Sequence, residues 1–476
     1  MQQAQHLFID QTGYQWAGKR VAVAGLARSG LAAARLLLLA GALPMLWDQK
    51  HRDQLPGQEI DDLVRDGCQL LAGASPEQAI DGADALIVSP GIPQTAPIFS
   101  LASRVGLPIM GELEFASRFA LGPIYAVTGT NGKTTTVALL GEIFRQAGQL
   151  VHVCGNNGYP LSAAVAQAKA EDIFVVEVSS FQLETIDTFR PRIAAVLNIT
   201  PDHLNRHGDL AHYAALKRSI FGRQSPQDVA LLNADDPLVA AMQSGLNSRV
   251  AFFSRRAEGA EGAFAHQGML MLRWAGTEQA ICTQEEIGIP GAHNLENALA
   301  AAAMAGIAGV PPAVIRYALR SFAGVEHRME FVRELDGIRY INDSKGTNPD
   351  ATIKAVEAMR APTILLAGGV DKQTPFAQLA HAIRRNSQIK HVILYGQTAE
   401  AIEQALRKTG FDAVRRAADL QGALAQGTAL AQAGYTILLS PACASFDQFK
   451  DYEERGRYFK QMVSDLISGG EQHDGA

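Results

Sequence analysis

Cysteine is scarce: Cys68, Cys154, Cys282 and Cys443 are scattered through 476 residues, with no two at a metal-ligand or redox spacing. That spacing suggests neither a disulfide framework nor a zinc site and makes a reducing cytoplasm the expected setting. A basic excess is also missing, since 42 Lys and Arg against 48 Asp and Glu leave a net charge of −6. Nucleic acid is therefore not the expected partner, and any bound phosphate must be gripped locally. The opening MQQAQHLFIDQTGYQW lacks the basic start and apolar core of a secretory leader. Long apolar runs are missing too, apart from Ala298 to Ile315. Alanine dominates that run and Pro311-Pro312 break it, so it reads as a buried helix, a turn and a second helix, with no membrane span. No internal repeat or low-complexity linker is visible, and a polar tail, Gly469 to Ala476, closes the chain.

What is present is glycine at informative places. Thr128 to Thr136 read TGTNGKTTT between an apolar run, Ile124 to Val127, and a helical pattern of Val137, Leu140, Ile143 and Phe144 that Gly148 stops. Strand, Gly-rich turn, lysine, hydroxyl and helix follow in the order a phosphate cradle needs. Gly129 and Gly132 let amide N–H groups face an anion at the positive end of the helix, Lys133 reaches the terminal phosphates, and the Thr134 hydroxyl is placed for Mg²⁺. The common form of this loop needs a glycine where Ala126 or Val127 stands. The shorter G-x-x-G-K-T disfavours small GTPases and motors.

The length predicts about three domains. In the first, Arg20 to Gly25 is a strand, Leu31 to Leu39 a helix, and a second strand ends at Trp47-Asp48. This is a Rossmann-like unit with Gly25 at the tight turn, Gly30 at the helix–strand approach, and Asp48 about 20 residues on, where a ribose hydroxyl would be met. Ala27 replaces the middle glycine, which weakens a nicotinamide reading. A third strand, Ala85 to Val88, releases Ser89-Pro-Gly-Ile-Pro93 at the sheet edge where ligands bind or, equally, as a plain turn.

In the centre, the strand Ile173 to Glu177 brings a carboxylate to its carboxyl end, beside the place where a cradle needs a Mg²⁺ ligand. Asn198 to His203, after the strand Ile193 to Leu197, is expected to be a second polar strand end facing that cradle. Asn294 and Asn297 begin the Ala-rich helix with amides able to read a purine. From about Val325, strands Ile338 to Ile341, Thr363 to Leu366, Val392 to Tyr395 and Thr436 to Leu439 alternate with helices, which indicates a mostly parallel sheet. Its loops carry Lys345, Thr347, Lys372 and Ser445, and with Arg328 near the junction they suit an anionic substrate. Lys217, in HYAALKRSIF, reads from its own neighbourhood as a helix-surface lysine.

Taken in order, TGTNGKTTT, EVSSFQLE, NITPDH, HNLEN, HRME, NDSKGTN and LLSPACASFDQF resemble the Mur ligases of peptidoglycan synthesis over nearly the whole chain. NDSKGTN and SPACASFDQF are similar to the D-glutamate-adding branch, and no DNPR-like motif of the diaminopimelate-adding branch is seen. The resemblance implies an α/β protein of three domains: a Rossmann-like uridine-nucleotide domain at 1–112, a central P-loop-type ATPase domain with a mostly parallel sheet at 113–324, and a Rossmann-like amino-acid domain at 325–476. It implies a monomeric ligase that uses ATP to add D-glutamate to UDP-N-acetylmuramoyl-L-alanine through an acyl phosphate. Gly129, Thr130, Asn131, Gly132, Lys133, Thr134 and Thr135 would hold the ATP phosphates, and Asn294, Asn297, Arg328 and Asp343 the rest of the nucleotide. Thr134, Glu177, His203 and Lys217 would serve two Mg²⁺ sites, with Lys217 carbamylated by CO₂. Lys345, Thr347, Lys372, Ser445 and Phe446 would shape the D-glutamate end. Leu26, Ala27, Asp48, Gln49 and Ser89 would meet uridine and diphosphate, and Asn156, Ser179 and Gln182 the muramoyl portion. Ala27 and Gln49-Lys50 depart from the pattern of some members, so the uridine contacts are the least specified.

Overall fold

The computed structural model describes residues 8–466 apart from 56, 157, 259–260, 290 and 371–374. By contact density the chain forms two units, one of residues 1–199, 211–287 and 296–321, the other of residues 200–210, 288–295 and 322–476. Among the described residues the first unit holds two sheets and the second holds one.

The N-terminal sheet contains β1 (Arg20–Ala24), β2 (Leu43–Asp48), β3 (Gln69–Ala72), β4 (Ala85–Val88) and β5 (Ile109–Gly111) in the order β3-β2-β1-β4-β5, all parallel. Strand order reverses between β1 and β4, so the loops after them share a crevice at the carboxyl edge, where open α/β sheets bind ligands. The helix Arg28–Leu39 packs on this sheet through Leu31, Ala33, Ala34, Leu36 and Leu37, all buried. Gly30 is required there: a methyl at its Cα would sit 2.0 Å from the Gly25 carbonyl oxygen.

The central sheet contains β6 (Ile124–Thr128), β7 (Val151–Gly155), β8 (Ile173–Glu177), β9 (Ile193–Val196), β10 (Val229–Asn233), β11 (Arg249–Ser254), β12 (Gly262–His266), β13 (Met269–Trp274) and β14 (Thr277–Thr283). Their order is β14-β13-β12-β11-β10-β9-β6-β8-β7, parallel up to β12 and antiparallel beyond it. β6 is buried at every residue, as an apolar run between two parallel neighbours must be. Glu114, from the helix Glu112–Ser117 that follows β5, accepts the amides of Asp187, Thr188 and Phe189 and pairs with Arg118. One buried carboxylate thus fastens the first sheet's last helix to the central fold. The Ala-rich run is the helix Ala292–Ile307, with Ala298 through Ala305 fully buried, followed by the helix Pro312–Ser321. Among the described residues no helix is long and apolar enough to cross a membrane.

The second unit's sheet contains β15 (Glu330–Leu335), β16 (Ile338–Asn342), β17 (Thr363–Gly368), β18 (Ile389–Tyr395), β19 (Val414–Arg416) and β20 (Thr436–Leu439), ordered β15-β16-β20-β17-β18-β19. Only β15 runs antiparallel. Because β20 lies between β16 and β17, the loops after all three strands share one carboxyl edge.

Candidate active site

In the first unit the Gly-rich loop joins a buried strand to a helix. The loop after β6 turns through Gly129 (φ 148°) and Gly132 (φ 88°), conformations that favour glycine, and delivers Lys133 to the first turn of the helix Lys133–Gln146. Lys133 Nζ folds back onto the Gly129 and Thr130 carbonyls at 2.9 and 2.8 Å. Gly132 approaches the Asn297 amide so closely that a Cβ would lie 2.3 Å from its Oδ1, and Thr136 Oγ1 donates to the same oxygen at 3.3 Å. The Thr135 hydroxyl is buried without a partner among the described residues.

The two strands that flank β6 supply the rest. Glu177 ends β8, is 3% exposed, and is held from both sides: Thr134 Oγ1 donates to Oε2 at 2.6 Å and Asn156 Nδ2 donates to Oε1 at 3.0 Å. The Asn156 amide N–H also donates to the Glu177 carbonyl at 2.8 Å. Asn198, just past β9, accepts the Asn131 amide on its Oδ1 at 2.8 Å, returns a hydrogen bond from Nδ2 to the Asn131 carbonyl, and takes the Thr130 amide on its own carbonyl. The sequence shows Asn198 only as one polar residue at a strand end. Its clamp on the loop depends on β9 lying beside β6, which spacing does not reveal.

Lys217 corrects the surface reading. It is 1% exposed, donates from Nζ to the Gly129 carbonyl at 2.9 Å and to Thr128 Oγ1 at 3.4 Å, and lies 4.5 Å from the centre of the Tyr213 ring. Helical periodicity alone could not find this, because the helix Leu210–Arg218 buries only Tyr213 and Lys217 on that face.

At the first sheet's crevice, Asp48 Oδ2 accepts the Leu26 amide and Oδ1 the Lys50 amide, while Ser89 Oγ donates to the Gly25 carbonyl at 2.7 Å. Asp48 and Ser89 therefore shape the loop that Leu26 and Ala27 occupy, with Ala27 and Gln49 exposed beside it. Ser179 and Gln182, expected at the muramoyl portion, form a capping box on the helix Ser180–Leu183 and satisfy each other.

The second unit gathers the remaining residues. His203 adopts a left-handed conformation (φ 53°), and its amide donates to Asp202 Oδ1. Asp202 Oδ2 in turn accepts from Asn348 Nδ2 at 3.2 Å, so NITPDH and NDSKGTN meet. Asn294 is buried, and its amide donates to the Gly291 carbonyl. Asp343 is fully buried and lies 4.0 Å from Arg328 Nη1. Burial pushes its carboxyl up to about 6 against the opposing pull of Arg328 and Ser440. His293, in the same pocket, is pushed down to about 3, first by burial and then by Arg328 and Lys354.

Lys345 Nζ donates to the Tyr452 hydroxyl at 3.1 Å and lies 4.9 Å from its ring centre. The Thr347 amide donates to the Lys345 carbonyl. Ser445 is buried, whereas Phe446 is 70% exposed at the rim. Lys372 lies outside the described residues. Arg455 is not visible in the sequence, where it sits in EERGRYF like any solvated helix residue, yet it is 0% exposed. Its guanidinium donates to Ser344 Oγ and O at 3.0 and 2.8 Å and to the Cys443 carbonyl at 3.2 Å. The NDSKGTN and SPACASFDQF loops are thereby tied to one cation.

Residues 19–111 match the MurD-like N-terminal domain of Mur ligases, 127–305 the Mur ligase middle domain, and 327–443 the Mur ligase glutamate ligase domain. A protein of Pelotomaculum thermopropionicum named UDP-N-acetylmuramoylalanine--D-glutamate ligase is 48% identical over 451 residues, covering 95% of this chain and 98% of its own. Another of that name, from Thermoanaerobacter sp. strain X514, is 43% identical over 94% of this chain and 99% of its own. Among solved structures, MurF from Acinetobacter baumannii is similar with a TM-score of 0.62 at 18% identity over 98% of each chain. UDP-N-acetylmuramate-alanine ligase MurC from Thermotoga maritima is similar with a TM-score of 0.59 at 18% identity, over 94% of this chain and 99% of that one. At such identity the two structures speak for the fold alone.

Proposed function

The chain belongs to the Mur ligase family, and from that premise we propose that it joins D-glutamate to UDP-N-acetylmuramoyl-L-alanine, with cleavage of ATP to ADP and phosphate, in cytoplasmic peptidoglycan precursor synthesis. The observation that carries this reading is the Thr134–Glu177 contact of 2.6 Å at the mouth of the Lys133 loop. It sets a hydroxyl and a carboxylate beside a phosphate-binding helix start, where an ATP-dependent step needs them.

A carboxylate is a poor electrophile until its oxygen becomes a leaving group. The acceptor's carboxylate would attack the γ-phosphorus of ATP, the bond to the ADP oxygen would break, and an acyl phosphate would result. Lys133 would meet the charge on the transferring phosphoryl oxygens. The D-glutamate amine would then add to the acyl carbon, phosphate would leave, and His203 would take the amine proton. Because water would destroy the acyl phosphate, its exclusion from the site is part of the mechanism.

Thr134 and Glu177 offer hard oxygen donors that fit Mg²⁺, and the partnerless Thr135 hydroxyl leaves a further polar atom for a ligand of the loop. Bound there, Mg²⁺ supplies positive charge that offsets the negative charge of phosphoryl transfer. His203 and a carbamylated Lys217 would serve a second such ion. Carbamylation would replace a cation with an anion able to hold a metal. Asn297, Asn294, Arg328 and Asp343 would address the nucleotide, and Lys345, Thr347, Lys372, Ser445 and Phe446 the D-glutamate. Leu26, Ala27, Asp48, Gln49 and Ser89 would receive uridine and diphosphate, with Asn156, Ser179 and Gln182 towards the muramoyl group. We divide these tasks among residues 1–112, 113–324 and 325–476, and since one chain carries all three, a monomer suffices.

Phosphate release measured with UDP-N-acetylmuramoyl-L-alanine, ATP and one of D-glutamate, L-glutamate, lysine or diaminopimelate tests the reading. Turnover is expected with D-glutamate, and equal turnover with lysine would sink the assignment.

A further inference from the structure

Three buried oxygens in the second unit form a chain that ends on the nucleotide carboxylate. Ser440 Oγ donates to Asp343 Oδ2 at 2.7 Å, and Thr352 Oγ1 lies 2.9 Å from Ser440 Oγ. Ser440 and Thr352 are 0% exposed and Asp343 is 1% exposed, so water does not compete for these contacts. The donor order follows from counting protons. An ionised carboxylate only accepts, so the single Ser440 proton is committed to Asp343, and the Thr352 hydroxyl must be the donor to Ser440. The other carboxylate oxygen, Oδ1, accepts the Met329 amide at 3.3 Å and faces Arg328. Ser440 opens the SPACAS loop after β20, and Thr352 lies in the helix Pro349–Ala358. Two elements therefore converge on one face of Asp343, while the loop carrying Arg328 approaches the other.

We propose that Ser440, held in one orientation by Thr352, is a positioning residue that fixes the Asp343 carboxylate in the rotamer and charge state that receive the nucleotide. The proposal rests on the reading of Asp343 as an ATP-binding residue. The charged and titratable groups around Asp343 are Arg328 and Arg455, which favour its ionised form, and, in the pocket it shares, His293 and Lys354. Burial opposes ionisation and leaves the group poised near 6, where one donated hydrogen bond decides how much carboxylate is present. The sign is definite. Removing the Ser440 donor favours the protonated acid, so the carboxylate is lost at a higher pH than before, and the acid limb of kcat/KM for ATP moves upward.

The test uses the full-length enzyme and steady-state kinetics with ATP varied between pH 5 and 8. Ser440→Ala is expected to raise KM for ATP about tenfold, the worth of one charge-assisted hydrogen bond, with kcat much less affected and the acid limb displaced upward. Thr352→Val keeps the shape, removes the terminal donor and should shift the limb the same way by less, whereas Thr352→Ser should restore it. Thr352→Val also keeps the proposal testable if Ser440→Ala does not fold. Asp343→Asn is the reference arm. If it weakens ATP binding while folded Ser440→Ala and Thr352→Val both leave KM and the acid limb unchanged, the positioning role is overturned and the nucleotide reading stands. If Asp343→Asn itself leaves KM for ATP unchanged, the nucleotide reading of Asp343 falls, and the proposal falls with it.

Discussion

At the scale of single residues, the candidate site is built from polar groups whose burial has to be offset locally. Glu177 shows how: two side chains from different elements each hold one of its oxygens, so its carboxylate is fixed in one geometry. Lys217 is the sharper case. An exposed lysine contributes little, and its substitution usually costs within about 0.5 kcal/mol. At 1% exposure, with its nitrogen on the Gly129 carbonyl, Lys217 is instead part of the cradle wall. Lys217→Ala is therefore expected to abolish most turnover while nucleotide binding persists. Added formate or acetate, entering the vacated space, should return part of the activity by supplying the oxygens a carbamate would provide. Loss of turnover with no response to any short carboxylate would leave Lys217 as a structural amine and remove the carbamate from the mechanism.

At the scale of elements, parallel strands were legible because each is a short run of Val, Ile, Leu or Ala ending in a Gly-rich or polar loop. β1, β4, β6, β8 and β20 all follow that pattern. The antiparallel extension β12–β13–β14 is not legible in the sequence. AFAHQGMLMLRWAGTEQAICT alternates poorly, and its two hairpin turns carry non-glycine residues at positive φ, Gln267 (47°) and Ala275 (51°), each followed by a glycine, Gly268 (81°) and Gly276 (78°). Those turns have both central residues at positive φ, which suits a tight hairpin, but the usual Asn or Asp of the sequence signal is absent. The N-terminal crevice gives a prediction at this scale. Gly30 joins helix to strand at a distance that a Cβ cannot share with the Gly25 carbonyl, so Gly30→Ala must push the Leu26–Ala27 turn outward. A folded Gly30→Ala variant should bind the uridine-linked acceptor at least about tenfold more weakly, the worth of ~1.4 kcal/mol in a distorted contact loop, with KM for ATP little changed. Equal acceptor affinity in both proteins would show that this turn does not contact the acceptor.

At the scale of the whole molecule, residue types and spacing mark which loops are candidates to carry chemistry but not which loops meet. Glu177 was legible as a carboxylate at a strand end; that it shares Thr134 with the cradle depends on β8 lying next to β6. Asn198 is legible only as part of a polar strand end and Arg455 not at all, since what each one holds is a neighbour distant in sequence. The arrangement also divides the proposed reaction into halves that can be separated. Lys133, Thr134, Glu177 and Lys217 belong to the unit that would form the acyl phosphate, while Lys345, held against Tyr452, belongs to the unit that would present the amino acid. An acyl phosphate reacts with hydroxylamine to give a hydroxamate and phosphate, whether or not D-glutamate is present. Lys345→Ala removes a cation suited to the anionic amino acid and leaves the phosphate cradle untouched. It should raise KM for D-glutamate by an order of magnitude or more, in line with loss of a charge-assisted contact worth about 1.5–3 kcal/mol, while hydroxamate still forms from the acceptor at close to the normal rate. Lys133→Ala should do the reverse and abolish hydroxamate formation altogether, because without charge stabilisation at the phosphoryl group the activated carboxylate never arises. Loss of hydroxamate in both variants to the same degree would mean that the amino-acid loops take part in phosphoryl transfer, and the two-step division would have to be given up.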